Sequence, residues 1–225
     1  MKHYDIIIVG AGPGGIFAAY ELQKLDPRLK TAVFEAGHSL EKRKCPIDGK
    51  KIKSCIKCKS CSIMSGFGGA GAFSDGKYNI TNDFGGTLHE HIGREQALDL
   101  MKYVDTINMT HGGEGARIFS TAQTKYKKIC MQNGLKLLDA SVRHLGTDLN
   151  YVVLENLYRE LKDSVDFYFD TPVQSIARDT DGYRVFTDDE EYHCAKCIVS
   201  VGRSGSKWME KICEELNIKT MSNRV

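Results

Sequence analysis

The chain has 225 residues, a formal net charge of +2 and 41% hydrophobic residues, which is enough for one large domain or two small ones. The nearly balanced charge gives no indication of nucleic acid or an anionic surface as a partner, and no apolar run approaches the length of a membrane span. The first predicted strand begins within a few residues of the N-terminus, so we expect no signal peptide and a cytoplasmic protein.

The first predicted elements are a buried strand, a glycine turn and a helix. Ile6-Ile7-Ile8-Val9 is an unbroken apolar run, typical of a parallel strand with both faces covered. A G-x-G-x-x-G motif follows, in which the glycines permit a tight turn, a close phosphate and close helix packing. The N–H groups that open the helix would hold a pyrophosphate. The candidate residues of this dinucleotide site are Gly10, Gly12, Pro13, Gly14 and Gly15.

The second predicted strand covers residues 31–34 and ends in an acid. Glu35 follows Gly15 at the spacing of about 20 residues that the fingerprint requires, where its carboxylate would accept hydrogen bonds from ribose hydroxyls, with Ala36 beside it. The carboxylate would serve FAD and NAD equally and would repel the 2′-phosphate of NADP. The basic loop 38–44 follows, and Arg43 in it is a candidate phosphate or ribose contact. An ordinary solvated loop is the alternative.

Cysteines are concentrated in the next segment. Four of the eight lie within seventeen residues, among six lysines whose charge favours thiolates. The C-x-x-C-x-x-C spacing lets one loop present several thiolates to a zinc ion or an iron–sulfur cluster, and it does not discriminate between them. A redox-active thiol pair and purely structural cysteines are the alternatives. The candidate metal ligands are Cys45, Cys55, Cys58 and Cys61.

Residues 65–77 combine many glycines with two phenylalanines. So many small residues cannot fill a core, but they allow a backbone to lie against a flat ligand or another backbone. A flexible linker is the alternative. The candidate cofactor contacts in this segment are Gly69, Ala70 and Ser74.

The middle of the chain is predicted to be helical, and its last third is predicted to be mostly β. Apolar periodicity indicates helices over 93–109, 121–133 and 149–162 and a strand over 135–142. Strands are predicted over 165–169, 173–178, 183–187 and 192–201, the last leading into Gly202, and a helix begins near Lys207. Cys194 and Cys197 lie three apart in a strand, which predicts that they face opposite sides of the sheet.

The order of these features resembles the FAD-binding domain of glutathione-reductase-like flavoproteins. It is still more similar to a group of bacterial FAD-dependent dehydrogenases, in the cysteine-rich loop, the run 68–77, Arg143-His144 with Gly146-Thr147-Asp148, and Gly202-Arg203-Ser204-Gly205. The resemblance implies an α/β, three-layer, Rossmann-like FAD/NAD(P)-binding fold with a parallel central sheet and a small antiparallel hairpin layer. Residues 1–85 and 135–225 would form the split FAD domain, which would include the cysteine- and glycine-rich loop 45–77. Residues 86–134 would be a helical insertion.

The resemblance also implies a function. The glycine motif would bind the FAD pyrophosphate, Glu35 the adenosine ribose and the backbone at Val173 the adenine, while Gly202 would pass close to the cofactor. The protein would be an oxidoreductase acting on an undefined small molecule or redox protein, with NAD(P)H as a possible electron donor. The later Gly-Asp segment of such flavoproteins has no place before residue 225, so we expect a chain lacking its substrate domain.

No catalytic acid, base or nucleophile is assigned with the same force. A catalytic role for Cys58, Cys61 or His144 is a hypothesis that rests only on their expected closeness to a flavin. Two other functions stay open from the residues alone. One is an NAD-dependent enzyme, and the other is a metal- or thiol-based sensing module centred on the cysteine segment.

Overall fold

The structure is a computed structural model that describes residues 1–122 and 124–221. In chain order, its strands and α-helices are β1 (Lys2–Val9), α1 (Pro13–Leu25), β2 (Thr31–Phe34), β3 (Lys77–Ile80), α2 (Leu88–Ile92), α3 (Arg94–Asn108), β4 (Ile118–Ser120), α4 (Tyr126–Gln132), β5 (Ser141–His144), α5 (Gly146–Leu161), β6 (Val165–Tyr168), β7 (Ser175–Asp179), β8 (Gly182–Phe186), β9 (Glu191–Val199) and α6 (Ser206–Glu215).

Six strands form one sheet in the order β6-β2-β1-β9-β8-β7. The first four are parallel to one another, and β8 and β7 continue the sheet antiparallel from β9. The predicted α/β fold with a mostly parallel central sheet is therefore confirmed. The hairpin of β7 and β8 is hydrogen-bonded to β9, so it extends this sheet. A separate small antiparallel sheet has the order β3-β5-β4.

The chain divides into two compact units. The first comprises Met1–Ala72 and the described residues from Leu157 onward, and it contains the six-stranded sheet. The second, Phe73–Asn156, contains the three-stranded sheet and the predicted insertion 86–134. Strand β4 was not predicted, because it has only three residues and all of them are exposed.

The apolar runs of the sequence form the core of the first unit. Ile7, Ile8 and Val33 are fully buried in the central strands, as expected for a parallel sheet covered on both faces. The Phe34 ring stacks on Tyr168 at 4.6 Å and meets the edge of Tyr192 at 4.7 Å. These contacts hold the carboxyl end of β2 firmly in place next to the residue that follows it, Glu35.

A second aromatic group anchors the glycine-rich loop. Phe67 is fully buried, and its ring contacts those of Tyr158 at 5.2 Å and Phe167 at 5.8 Å, with Phe169 at 6.2 Å. Burial of one phenylalanine contributes about 1.5–3 kcal/mol. The segment is therefore a fixed part of the first unit at Phe67, and it is not a flexible linker there.

The cysteines of β9 depart from the expected alternation. Cys194 and Cys197 both pack against the core cluster that contains Ile7, and their thiols share a hydrogen bond. That bond lowers the pKa of Cys194; the same bond, and then burial, raise the pKa of Cys197. The prediction of opposite faces was wrong because two consecutive exposed residues, Ala195 and Lys196, break the alternation between them.

Candidate dinucleotide-binding site

The glycine turn joins β1 to α1 at the carboxyl edge of the sheet. The amide of Gly10 donates to the Phe34 carbonyl at 2.7 Å, and its φ of +103° is one that favours glycine. A Cβ on Gly10 would lie 2.4 Å from the Ser200 carbonyl oxygen, and one on Gly15 would lie 1.9 Å from the Gly10 carbonyl oxygen. The first and third glycines of the motif therefore permit the tight turn and the close helix packing.

The N-terminus of α1 is left open for an anion. Gly12 is the N-cap and makes no side-chain capping bond, Pro13 is the first residue, and the first turn has no acid. The amides of Gly14 and Gly15 have no acceptor within the helix, and Gly14 is exposed. The partial positive charge of the helix end is thus not neutralised by the neighbouring side chains of α1, which suits a pyrophosphate.

The glycine-rich loop lies directly against this turn. The Gly68 amide donates to the Ala11 carbonyl at 2.8 Å. Gly69, with φ of +59°, faces the second glycine of the motif: a Cβ on Gly69 would lie 3.2 Å from the Gly12 Cα. The two glycines bring two backbones together without side chains at the point where the fingerprint places a phosphate.

Arg43 fixes the loop in this position. Its side chain is buried, with 3% of the residue exposed; burial lowers the pKa of Arg43, and the nearby Glu35 carboxylate acts in the opposite direction. In the structure, most of the guanidinium N–H groups donate to backbone carbonyls of the protein. The predicted contact of Arg43 with phosphate or ribose stays a prediction. The guanidinium donates to the carbonyls of Ser62 at 2.8 Å, Ile63 at 2.7 Å, Phe67 at 2.6 Å and Gly69 at 2.8 Å.

The Glu35 carboxylate joins three segments of backbone. Its Oε2 accepts the Ala11 amide at 2.8 Å, and its Oε1 accepts the amides of Gly37 and Gly66, each at 2.9 Å. A carboxylate has about four lone-pair positions, so one position on Oε2 is left for a further donor. The predicted ribose contact is compatible with that single position, and the structure adds a second role that the sequence did not indicate.

Replacing Glu35 by glutamine tests this second role. The Glu35→Gln side chain has nearly the same shape, but its NH₂ group would face one of the three backbone N–H groups as a second donor. We expect the free energy of unfolding to fall by about 2–3 kcal/mol, because a buried donor is left unpaired and charge-assisted bonds are lost. Urea denaturation measures the change. Glu41→Gln, at an exposed position, is the control; an equal effect of both changes would contradict the assignment.

The chain returns to Glu35 after β6. The Glu35 amide donates to the Tyr168 carbonyl at 2.9 Å, and the Thr171 amide donates to the Glu35 carbonyl at 3.0 Å. The His38 Nδ1 lies against the Asp170 carboxylate on the same loops. Val173 follows, with its side chain buried, and within the described ranges no backbone hydrogen bond of Val173 is observed. The predicted contact of the Val173 backbone with adenine stays a prediction.

The other predicted contacts are placed as follows. Ala36 and Ala70 are exposed in the first unit. Gly202 follows β9 with φ of +63°, and a Cβ at Gly202 would meet no atom within 4 Å. Ser74 belongs to the second unit, where its Oγ accepts the Gly76 amide at 3.3 Å. Sequence analysis missed Ser200, whose Oγ would lie 2.4 Å from a Cβ on Gly14; the strand leading into Gly202 was the available signal.

The structure does not support the predicted metal centre. Within residues 1–122 and 124–221, no group of three or more His, Cys, Asp or Glu side chains could hold a metal ion. Cys45, Cys55 and Cys58 are exposed and Cys61 is half-buried, and all four are free thiols. The spacing is that of metal sites, but the loop does not converge the four thiols on one centre.

Arg143 and His144 lie in the second unit. Arg143 forms a bidentate pair with Asp105 at 2.9 and 2.6 Å and donates to the Ala116 carbonyl. The hydrogen bonds that Arg143 donates to the Asp105 carboxylate raise the pKa of Arg143. The arginine of the Arg-His motif thus has a structural role in the second unit, as the partner of Asp105. His144 is exposed on β5, and its guessed catalytic role stays a prediction.

Two cavities lie outside the residues predicted to bind the cofactor. One, of about 630 Å³, is lined by β7 and the end of α6 in the first unit. The other, of about 210 Å³, lies in the second unit between β3 and α3, next to Leu88.

None of the helices in the described part of the chain is long and apolar enough to cross a membrane.

No protein-family profile matches this sequence, and no curated protein matches it significantly. Several solved structures are similar in fold. Glycine oxidase from Geobacillus kaustophilus has a TM-score of 0.55 and 17% identity, over 96% of this chain and 59% of that chain. Glycine oxidase from Bacillus cereus ATCC 14579 has a TM-score of 0.50 and 13% identity, over 96% and 58%. NikD, an unusual amino acid oxidase essential for nikkomycin biosynthesis, has a TM-score of 0.50 and 11% identity, over 95% and 54%.

The chain has the Rossmann-like FAD/NAD(P)-binding fold. It spans a little more than half the length of these similar structures. At such low identity the similarity establishes the fold alone, so the predicted bacterial dehydrogenase family stays a prediction.

Proposed function

We propose that this chain binds FAD and is the FAD-binding part of an oxidoreductase. The observation that carries the proposal is the open N-terminus of α1, where Gly12 and Gly69 bring two backbones together without side chains. This arrangement fits a pyrophosphate group, because free amides and the helix dipole favour its negative charge. FAD, when bound, supplies the transfer of a hydride or of electrons that protein side chains do not supply.

The residues of the first unit are proposed to hold the ADP half of FAD. The amides of Gly14 and Gly15 would bind the pyrophosphate. Glu35 would accept one ribose hydroxyl at its remaining Oε2 position, and the backbone of Val173 would bind adenine. The 2′-phosphate of NADP would be repelled by the Glu35 carboxylate, so NADPH could act only as a donor bound elsewhere.

The reaction is proposed at the level of its class. The similar structures are oxidases by name, which supports oxidation of a small molecule by the whole protein. We propose NAD(P)H as a candidate electron donor for the flavin and membership in the bacterial FAD-dependent dehydrogenases. The resemblance of the run 68–77 and of Gly202-Arg203-Ser204-Gly205 supports that membership.

Competition between nucleotides tests the proposal, because the described contacts address only the ADP half. We expect the purified protein to bind FAD, observed as quenching of flavin fluorescence, and ADP to displace it. FMN, which lacks the adenosine, is expected to bind at least about tenfold more weakly, which corresponds to 1.4 kcal/mol or more of lost contacts. Isothermal titration with NAD⁺ is the control. Tight NAD⁺ binding without FAD binding would instead establish an NAD-dependent protein.

A further inference from the structure

The cysteine segment, residues 44–61, is not used by the proposed FAD site. Cys55 and Cys58 are both exposed, so small molecules in solution reach their thiols. Accessible thiols in a cationic environment are the ones that undergo exchange. Free cysteines elsewhere in the described chain, such as Cys194 and Cys213, are buried and are shielded from that reaction.

One residue between Cys55 and Cys58 has a left-handed backbone conformation. Lys57 has φ of +53°, a left-handed conformation that is uncommon for a residue with a Cβ. Its amide donates to the Cys55 Sγ at 3.4 Å. The hydrogen bond places the Cys55 sulfur next to the backbone of Lys57, the residue directly before Cys58. Two cysteines at Cys-x-x-Cys spacing can form a reversible disulfide pair.

The charge of the segment selects an anionic reactant. Its six lysines are all exposed, and its one acid, Asp48, accepts the amides of Lys50 and Ile52 at 2.8 and 2.9 Å. Hydrogen bonds from these amides lower the pKa of Asp48. A single carboxylate does not offset six ammonium groups, so the segment keeps a net positive charge that attracts anions from solution.

We propose that Cys55 and Cys58 form a redox-active thiol pair that exchanges with small disulfides bearing carboxylates. The thiolate of one cysteine attacks a sulfur of the small disulfide, a mixed disulfide forms, and one small thiol leaves. The second cysteine then attacks the protein sulfur of the mixed disulfide, and the second small thiol leaves. The protein dithiol loses two electrons and two protons, which the small disulfide gains. This function goes beyond FAD binding and does not depend on it.

Oxidised glutathione is the probe for this proposal. After incubation in buffers of defined glutathione ratio, free thiols are blocked and the peptides are mapped by mass spectrometry. We expect one bond between Cys55 and Cys58 and a loss of two free thiols. Cys58→Ser is expected to stop at a mixed disulfide on Cys55, and Cys130→Ser, outside the segment, to react like the parent. Retention of both thiols in the parent, or a bond that joins other cysteines, would overturn the proposal.

The role of the lysines has its own test. Lys53→Glu combined with Lys59→Glu is expected to slow the reaction with oxidised glutathione by about tenfold at low salt, because electrostatic attraction is lost. The reaction with a neutral disulfide, hydroxyethyl disulfide, is expected to keep its rate. Equal rates of parent and variant with oxidised glutathione would exclude selection by charge. Both readouts use thiols, so they are independent of whether FAD binds.

Discussion

Gly15→Ala is expected to abolish most FAD binding and to destabilise the protein. The new Cβ would lie 1.9 Å from the Gly10 carbonyl oxygen and 3.0 Å from its carbon. Backbone cannot move aside as a flexible side chain can, so we expect a loss of about 3 kcal/mol, at the upper end of overpacking effects. For a chain of this size that loss lowers Tm by about 6–12 °C. Thermal unfolding and flavin-fluorescence titration measure the two effects.

Gly71→Ala is the matched control, since nothing lies within 4 Å of a Cβ at Gly71. We expect its free energy of unfolding to stay within about 0.5 kcal/mol of the parent value. If Gly15→Ala also left Tm and FAD affinity unchanged, the close packing of α1 on the turn would be refuted.

Arg43→Ala is expected to have an even larger effect on stability. It leaves four backbone carbonyls without their charged donor and opens a space in a buried region. The expected loss is about 3–5 kcal/mol, because a hydrogen bond from a charged donor contributes about 1.5–3 kcal/mol and several such bonds are lost. Hydrogen exchange should show faster exchange of the amides at 62–69 than in the parent, because the loop is no longer held. Tm and hydrogen exchange are the measurements.

Two further variants separate geometry from charge at this position. Arg43→Lys keeps the charge, but a single ammonium does not span four carbonyls, so we expect it to recover little of the loss. Lys42→Ala, at the exposed neighbouring position, should unfold like the parent. Full recovery of stability by lysine would show that charge, and not the planar fork of donors, holds the loop.

The sequence predicted those strands and turns that are determined by a few adjacent residues. The apolar run before Gly10 and the acid after β2 indicated the nucleotide fold, because strand burial and turn geometry depend on a few adjacent residues. The structural roles of Arg43 and Glu35 were not predicted. Most of their partners lie about 20 to 30 residues away and are backbone atoms, which leave no residue-type signature in a sequence.

For the cysteines, a clear sequence pattern led to predictions that the structure does not support. Cys45, Cys55, Cys58 and Cys61 have a spacing typical of metal ligands, but spacing does not determine whether a loop folds its thiols toward one centre. At Cys194 and Cys197 the rule of alternation failed, because it assumes a regular strand and β9 has two consecutive exposed residues.

The burial of Phe67 has a consequence for the order of events during synthesis. Its ring partners Tyr158 and Phe167 are made about 90 to 100 residues later, and β1 pairs with β9 almost 200 residues away. While the N-terminal segment is still bound to the ribosome, the whole glycine motif has therefore been synthesised. The aromatic residues that hold the glycine-rich loop at Phe67 against that motif have not. Contacts so distant in sequence slow folding, so we expect nucleotide affinity to be acquired only after β9 has been synthesised.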